Sequence, residues 1–150
     1  MNETSDTRRI IIGCDHAAFE LKETLKAALM HQGMAVDDVG TFSADSMDYP
    51  ETGKAVARKI SAGAYDRGVL MCGTGLGMSM VANKFPHVRA ALCNDLFSAI
   101  MSRRHNNANI LVMGGRMIGD ILALEILNTW LNTAFEGGRH QRRLEMFEKF

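Results

Sequence analysis

The 150-residue sequence predicts an α/β protein with a doubly wound, five-stranded parallel sheet that is covered by helices on both faces. Two observations predict this Rossmann-like class. Five short apolar runs alternate with longer segments whose apolar residues recur at helical spacing. The alternation continues without an internal linker or low-complexity tract, so residues 1–150 are expected to form a single domain. Residues 1–8 are mostly polar and are expected to be a flexible leader.

Each predicted strand is a short apolar run, and the runs rich in β-branched residues favour burial on both faces of a parallel sheet. In chain order the strands are expected at residues 9–13, 35–39, 67–71, 88–93 and 110–113. The helices follow from apolar positions three or four residues apart, and Gly33 is expected to end the first of them. The helices are expected at residues 19–29, 51–62, 78–85, 95–104, 118–133 and 139–149, with a loop at residues 41–50.

The composition argues against several classes of function. The 17 Lys and Arg balance the 17 Asp and Glu. A neutral chain without a basic stripe is a poor candidate for binding nucleic acid or an anionic membrane. No apolar run approaches the roughly 20 residues of a membrane span. Three widely spaced cysteines without a CxxC pair are typical of reduced thiols in a cytoplasmic protein. The spacing of His, Cys and carboxylates predicts no metal site.

Chemically active side chains follow two of the predicted strands. Asp15 and His16 come directly after the first strand, and Cys72 and Thr74 come after the third. Because ligands of open α/β sheets bind outside the carboxyl ends of the strands, these four residues are expected on one rim of the sheet.

The glycine-rich segment at residues 72–77 follows a strand and precedes a helix. It is not a dinucleotide fingerprint, since the third glycine would fall at Met80, and it lacks the lysine of a P-loop. A phosphatase loop would need an arginine where Met78 stands. What remains is the Cys72 thiol beside main-chain N–H donors and the Thr74 hydroxyl, a combination that suits a base and an oxyanion hole. The alternative is a small cysteine that packs at a strand end.

Two further groups of polar residues lie near the C-terminus. Arg139 and Arg143 are four residues apart, hence on one helical face, where their guanidiniums would suit a phosphate dianion; the alternative is a solvated helix start. His105 ends the fourth helix, which runs back from the rim that carries Cys72. His105 is therefore expected at the opposite edge of its own sheet, where it either serves a neighbouring subunit's site or caps terminal carbonyls.

Six motifs in register carry a resemblance to a known family. They resemble type B ribose-5-phosphate isomerases, a family that also includes allose-6-phosphate and galactose-6-phosphate isomerases, over essentially the whole chain. The motifs are Gly13-Cys14-Asp15-His16, Asp48-Tyr49-Pro50, Cys72-Gly73-Thr74-Gly75-Leu76-Gly77, Ala82-Asn83-Lys84, Arg104-His105-Asn106-Asn107-Ala108-Asn109 and Glu136-Gly137-Gly138-Arg139-His140.

The resemblance implies a cofactor-free enzyme that acts on a phosphorylated sugar. It also implies a homodimer, often paired into a tetramer, with active sites between subunits. The resemblance implies four catalytic residues. Cys72 would be the base, and Thr74 would bind the enediolate oxygen. His105 would assist ring opening, and Asp15 would transfer the hydroxyl protons. The implied substrate-binding residues are His16, Tyr49, Gly73, Gly75, Gly77, Asn106, Arg139 and Arg143, with His140 and Arg116 as further candidates. Some members use a glutamate base where Met78 stands here, so Cys72 would act alone.

The resulting hypothesis is interconversion of ribose 5-phosphate and ribulose 5-phosphate, a reaction of the pentose phosphate pathway, through an enediolate. One alternative is isomerisation of allose 6-phosphate, galactose 6-phosphate or an erythrulose phosphate. Another is a non-catalytic module that binds a phosphorylated metabolite, which would use the arginines but tolerate the loss of Cys72.

Overall fold

The five apolar runs form one parallel sheet in the computed structural model, which describes residues 8–148. The strands are β1 Arg9–Cys14, β2 Ala35–Asp38, β3 Gly68–Cys72, β4 Ala90–Leu92 and β5 Ile110–Gly114. Their order across the sheet is β2-β1-β3-β5-β4, and every neighbouring pair is parallel. Apart from Arg9 at the start of β1, the central strands β1, β3 and β5 are buried throughout, as their apolar composition predicts.

Helices cover both faces of this sheet. They are α1 Phe19–His31, α2 Tyr49–Ser61, α3 Leu76–Ala82, α4 Leu96–Arg104, α5 Asp120–Leu131 and α6 Arg139–Phe147, with a 3₁₀ turn at His16–Ala18. Because successive side chains of a strand point to opposite faces, Ile10 and Ile12 pack in a layer with α1 and α5, whereas Ile11 packs with α2 and α3. The predicted fold class is thereby confirmed. Among residues 8–148, none of the six helices has the length and apolar character that crossing a bilayer requires.

The element boundaries differ from the prediction by a few residues. Helix α2 begins at Tyr49 rather than 51, because Pro50 fits the first turn of a helix, where its missing N–H costs nothing. Helix α3 lies at Leu76–Ala82 rather than 78–85, and β4 keeps only three residues. Residues 1–7 of the expected leader and residue 149 of the expected last helix lie outside the described residues.

A buried ion pair anchors the segment that follows β2. Lys22 is fully buried, and its ammonium donates to both carboxylate oxygens of Asp38 at 2.9 and 2.8 Å. The same carboxylate accepts from Lys26 at 3.0 Å and from the Gly40 N–H at 2.9 Å. The Gly40 carbonyl accepts from the N–H of Cys14 at 2.6 Å, so the clamp fixes the chain beside the carboxyl end of β1.

Replacing Asp38 with asparagine should destabilise the protein by about 3 kcal/mol, because the buried Lys22 charge then keeps only the half-exposed Glu23 carboxylate, at 3.3 Å, as a counterion. Burial alone would raise the pKa of Asp38, but hydrogen bonds from Lys22, Gly40 and Lys26 outweigh it and lower the pKa. The stabilisation from Asp38 is therefore complete above the ordinary carboxyl pKa and is lost as pH falls through the lower folded-state value. Urea unfolding at several pH values measures both effects.

The matched control is Asp37→Asn, since Asp37 is partly exposed and lies 3.8 Å from Lys59, and the hydrogen bond that it accepts from the Tyr65 hydroxyl can also be accepted by an amide oxygen. That pair should contribute less than about 1 kcal/mol. Equal losses for the two variants would contradict the role of the buried pair.

Candidate active site

The carboxyl ends of β1 and β3 meet, as the sequence predicts. The Asp15 N–H donates to the carbonyl of Met71 at 3.2 Å, which ties the residue after β1 to the end of β3. The Asp15 side chain is 7% exposed, and its Oδ1 accepts from the Ala17 N–H at 3.0 Å. Asp15 thus caps the 3₁₀ turn and lies on the same rim as Cys72.

The glycine-rich loop after β3 places a main-chain donor on a thiol. Cys72 is 5% exposed, and the N–H of Gly75 donates to its Sγ at 3.2 Å. Gly75 has a φ of 83°, and a Cβ there would collide with the Leu92 side chain, so only glycine fits this turn. Thr74 is exposed, and its Oγ1 accepts from the Leu76 N–H at 3.2 Å, which leaves the hydroxyl hydrogen available as a donor.

The other two thiols are unsuited to proton transfer at neutral pH. Burial raises the pKa of Cys14 to about 11, although the Lys22 charge partly opposes this, and burial likewise raises the pKa of Cys93 to about 11. Both are therefore protonated near pH 7 and lie in the apolar layer that holds α1 and α5. Cys72 is the thiol that borders the rim.

An aromatic ring covers the end of the glycine loop. A Cβ at Gly77 would lie 2.6 Å from both Cε2 and Cζ of Tyr49, so the absence of a side chain at residue 77 is what admits the phenol ring. Nearby, the Met47 N–H donates to Nδ1 of His16 at 3.2 Å, which assigns the hydrogen of the neutral ring to Nε2. Asp15, His16 and Tyr49 line a cleft of about 720 Å³ on this rim.

The loop after β5 supports the glycine loop from behind. The N–H groups of Gly115 and Arg116 donate to the carbonyls of Cys72 and Gly73 at 2.8 and 2.9 Å. The Arg116 guanidinium also lies beside this loop, since a Cβ at Gly73 would be 3.6 Å from its Nη1. The fold therefore brings the Arg116 guanidinium to the rim. The sequence indicated this residue only as a further candidate for substrate binding.

A second group of predicted residues lies at the opposite edge of the sheet. His105 follows the last residue of α4, and Asn109 accepts from the N–H of Gly68, at the amino end of β3, at 2.9 Å. Cys72 is at the carboxyl end of that strand. The prediction that His105 lies at the edge away from its own chain's thiol is confirmed.

Helix α6 extends this second group. The ring of His140, which is buried, stacks on His105 with 4.2 Å between centroids and 12° between planes. Glu136 Oε2 lies 4.0 Å from Nε2 of His105 and 3.7 Å from Nε2 of His140. Burial, followed by the neighbouring His105 and Arg139, lowers the pKa of His140, so its ring is neutral at pH 7. Arg139 and Arg143 are exposed on the same helix.

The chain thus holds its predicted site residues in two groups. The rim at the carboxyl ends of the strands carries the thiol, the glycine cradle and the Asp15–His16 pair. The opposite edge carries the imidazole pair and the exposed arginines. The first group is Asp15, His16, Tyr49, Cys72, Gly73, Thr74, Gly75 and Gly77, and the second is His105, Asn106, Arg139 and Arg143.

Comparison with known proteins identifies the family. Residues 10–147 match the model of the ribose/galactose isomerase family. The chain is 45% identical to ribose-5-phosphate isomerase B of Escherichia coli over 92% of this chain and 93% of that protein. It is 42% identical to a D-erythrulose-4-phosphate isomerase of Pectobacterium atrosepticum over 91% and 90% of the two chains.

A solved structure agrees with this assignment. The crystal structure of a ribose 5-phosphate isomerase from Thermotoga maritima superposes with a TM-score of 0.93 at 50% identity, covering 95% of this chain and 99% of that one. The chain therefore belongs to the ribose/galactose isomerase family and is a sugar-phosphate isomerase.

Proposed function

We propose that this isomerase interconverts ribose 5-phosphate and ribulose 5-phosphate through a cis-enediolate, with Cys72 as the base and without a cofactor. The observation that carries the proposal is the Cys72 sulfur at the carboxyl end of β3, which accepts a hydrogen bond from the Gly75 N–H of the glycine loop. Proton abstraction next to a carbonyl needs such a base together with donors for the developing oxyanion. Relatives at 45% and 50% identity carry the name ribose-5-phosphate isomerase, which supports this substrate.

The residues of the rim divide the chemistry between them. Cys72 moves a proton between C1 and C2 of the open sugar, and the N–H groups of the glycine loop, with the Thr74 hydroxyl, hold the enediolate oxygen. Asp15, whose N–H is hydrogen-bonded to the end of β3, handles the hydroxyl protons. Tyr49 and the Nε2–H of His16 bind the sugar and its phosphate.

The opposite edge supplies the remaining functions to a neighbouring chain. His105 assists ring opening, Asn106 contacts the sugar, and Arg139 and Arg143 bind the phosphate. A single chain cannot bring these groups to its own Cys72, because the two groups lie at the two ends of the same strands. The active sites therefore form between subunits of a homodimer, which can pair further into a tetramer, and we propose that the enzyme works in the cytoplasm.

Exposed apolar side chains near the rim support this arrangement. Phe97 at the start of α4 and Ile121 at the start of α5 are 71% and 82% exposed, and these two helices pack against each other. Large apolar side chains that are exposed together often mark protein–protein contacts. A second copy of the chain that covers them would bring its own arginines toward the rim.

Replacing Gly114 with alanine should lower turnover roughly a hundredfold, because displacement of catalytic groups by about 1 Å has effects of that size. A Cβ at this position would be 2.6 Å from the carbonyl oxygen of Thr74, so the loop that carries Thr74 must move. The control is Gly119→Ala, where nothing lies within 4 Å of the added Cβ and turnover should change little. Equal kinetics for the two variants would contradict the tight support of the glycine loop.

The proposed substrate is tested by turnover. The purified protein is incubated with ribose 5-phosphate, allose 6-phosphate, galactose 6-phosphate and erythrulose 4-phosphate, and each ketose or aldose product is quantified. The proposal expects the highest kcat/KM for ribose 5-phosphate. The relative that is named a D-erythrulose-4-phosphate isomerase favours erythrulose 4-phosphate as the second candidate. Binding of these compounds without turnover would instead indicate a phosphometabolite-binding module.

A further inference from the structure

Three metal-ligating side chains meet at the edge of the sheet opposite Cys72. His105, Glu136 and His140 each offer one ligand atom, and these three atoms all lie within 4.8 Å of one another. The spacing along the chain did not indicate this group, because His105 comes from the end of α4 and the other two from the segment that leads into α6. The main chain holds the two segments together, since the Glu136 N–H donates to the Arg104 carbonyl at 3.1 Å.

The ligand set is one that zinc uses. Two imidazoles and one carboxylate, with a remaining position for water, form one of the usual protein shells of a catalytic zinc ion. Bonds of about 2.0–2.1 Å from a tetrahedral ion place neighbouring ligand atoms roughly 3.3 Å apart. The Nε2 atoms of His105 and His140 lie 4.0 and 3.7 Å from Glu136 Oε2, so both distances must shorten by several tenths of an ångström.

The side chains that must move have room to do so. The stacked rings are nearly parallel, so the His105 ring must turn out of the stack for both Nε2 lone pairs to converge on one ion. The side chains of His105 and Glu136 are 40% and 49% exposed, and neither is held by packing on all sides. His140 is the buried, fixed member of the set.

Some of the charges around these three residues favour metal binding, and others oppose it. The carbonyl end of α4 at His105 favours a cation. Against this, Arg104 lies 3.8 Å from Glu136 Oε1, and Arg139 and Arg143 are close enough to lower the His140 pKa. We expect micromolar affinity, weaker than that of a structural zinc site with four ligands.

We propose that His105, Glu136 and His140 bind a zinc ion, and that the bound ion inhibits the isomerase by occupying the imidazole that assists ring opening. Zinc binding follows from the geometry of these three residues alone. The inhibitory consequence rests on the proposed function of His105.

Binding is tested by titrating zinc into the chelator-treated, full-length protein, with a chromophoric chelator as competitor. One zinc ion per chain should bind, and Glu136→Gln and His140→Ala should each weaken binding by more than about tenfold. The control His31→Ala removes an exposed histidine at the end of α1 and should leave the affinity unchanged. Cys72→Ala should also bind zinc as the unchanged protein does.

Glu136→Gln keeps the shape of an exposed side chain, so the test does not depend on whether His140→Ala folds. The site is excluded if Glu136→Gln binds zinc as tightly as the unchanged protein, or if Cys72→Ala alone abolishes binding. In the presence of saturating zinc, turnover of the ring-closed aldose should fall, and Glu136→Gln should resist this inhibition. Zinc binding without inhibition would refute the inhibitory role of the site, whereas a lack of turnover without zinc would refute only the proposed function.

Discussion

The Cys72→Ala protein should have a kcat that is lower by about 10²–10⁴-fold, because a positioned general base contributes that much to proton transfer. The Cys72 sulfur lies at the rim and accepts a hydrogen bond from the Gly75 N–H at 3.2 Å. The alanine methyl group that replaces it cannot accept a proton. Binding of the sugar phosphate should change little, because the proposed phosphate ligands are other residues. Turnover is measured by ribulose 5-phosphate formation, and binding by calorimetry with the same substrate.

The control for this prediction is Cys93→Ala. Cys93 is buried, its pKa is raised to about 11, and it packs in the layer with α1 and α5, so its removal should leave kcat within a few fold. If the Cys72→Ala protein turned over ribose 5-phosphate at the normal rate, the thiol would not be the catalytic base. A comparable loss in both variants would point to damage to the fold instead.

Arg143→Ala should raise KM roughly tenfold to a hundredfold, as expected when a charge-assisted hydrogen bond worth about 1.5–3 kcal/mol to a phosphate is removed. Arg139→Ala should act in the same direction. Both side chains are exposed on α6, four residues apart and hence on one face. Their loss should affect kcat less than KM, since the phosphate lies away from the reacting carbons.

Arg142→Ala is the matched control, because Arg142 is exposed on the same helix and points in another direction. Its removal takes away the same charge and should leave KM nearly unchanged. A KM that responds equally to all three substitutions would mean that the helix acts through its overall charge, and that Arg139 and Arg143 do not bind the phosphate directly.

The sheet could be predicted because its central strands are apolar on both faces. Runs such as the one at residues 110–113 have few alternatives to a buried parallel strand, and the helix direction in such a fold then places His105 opposite Cys72. The order of β4 and β5 could not be predicted in the same way. Both strands are short and apolar, and which of them is central depends on how α4 and α5 pack.

The finer geometry of the site depended on tertiary contacts. The contact of Tyr49 with Gly77, and of Arg116 with Gly73, each join segments that lie far apart in the chain. The meeting of His105 with Glu136 and His140 is also of this kind, and the spacing of these residues along the chain gives no sign of it. The glycines were the feature of the sequence that could have indicated these contacts. A Cβ at Gly77 would exclude the Tyr49 ring, and a Cβ at Gly114 would exclude the Thr74 carbonyl.

The central claim is that the thiol of one chain works with the arginines of another. Mixing two variants with strongly reduced kcat/KM tests it most directly, with activity measured at substrate concentrations far below KM. Cys72→Ala and Arg139→Ala/Arg143→Ala chains are co-expressed with different tags, and the dimers that carry both tags are purified. One site of each mixed dimer would be intact, so random pairing should restore about a quarter of the unmodified activity and the purified mixed dimers about half. Mixed dimers without recovered activity would show that the thiol and the arginines do not act across the subunit boundary.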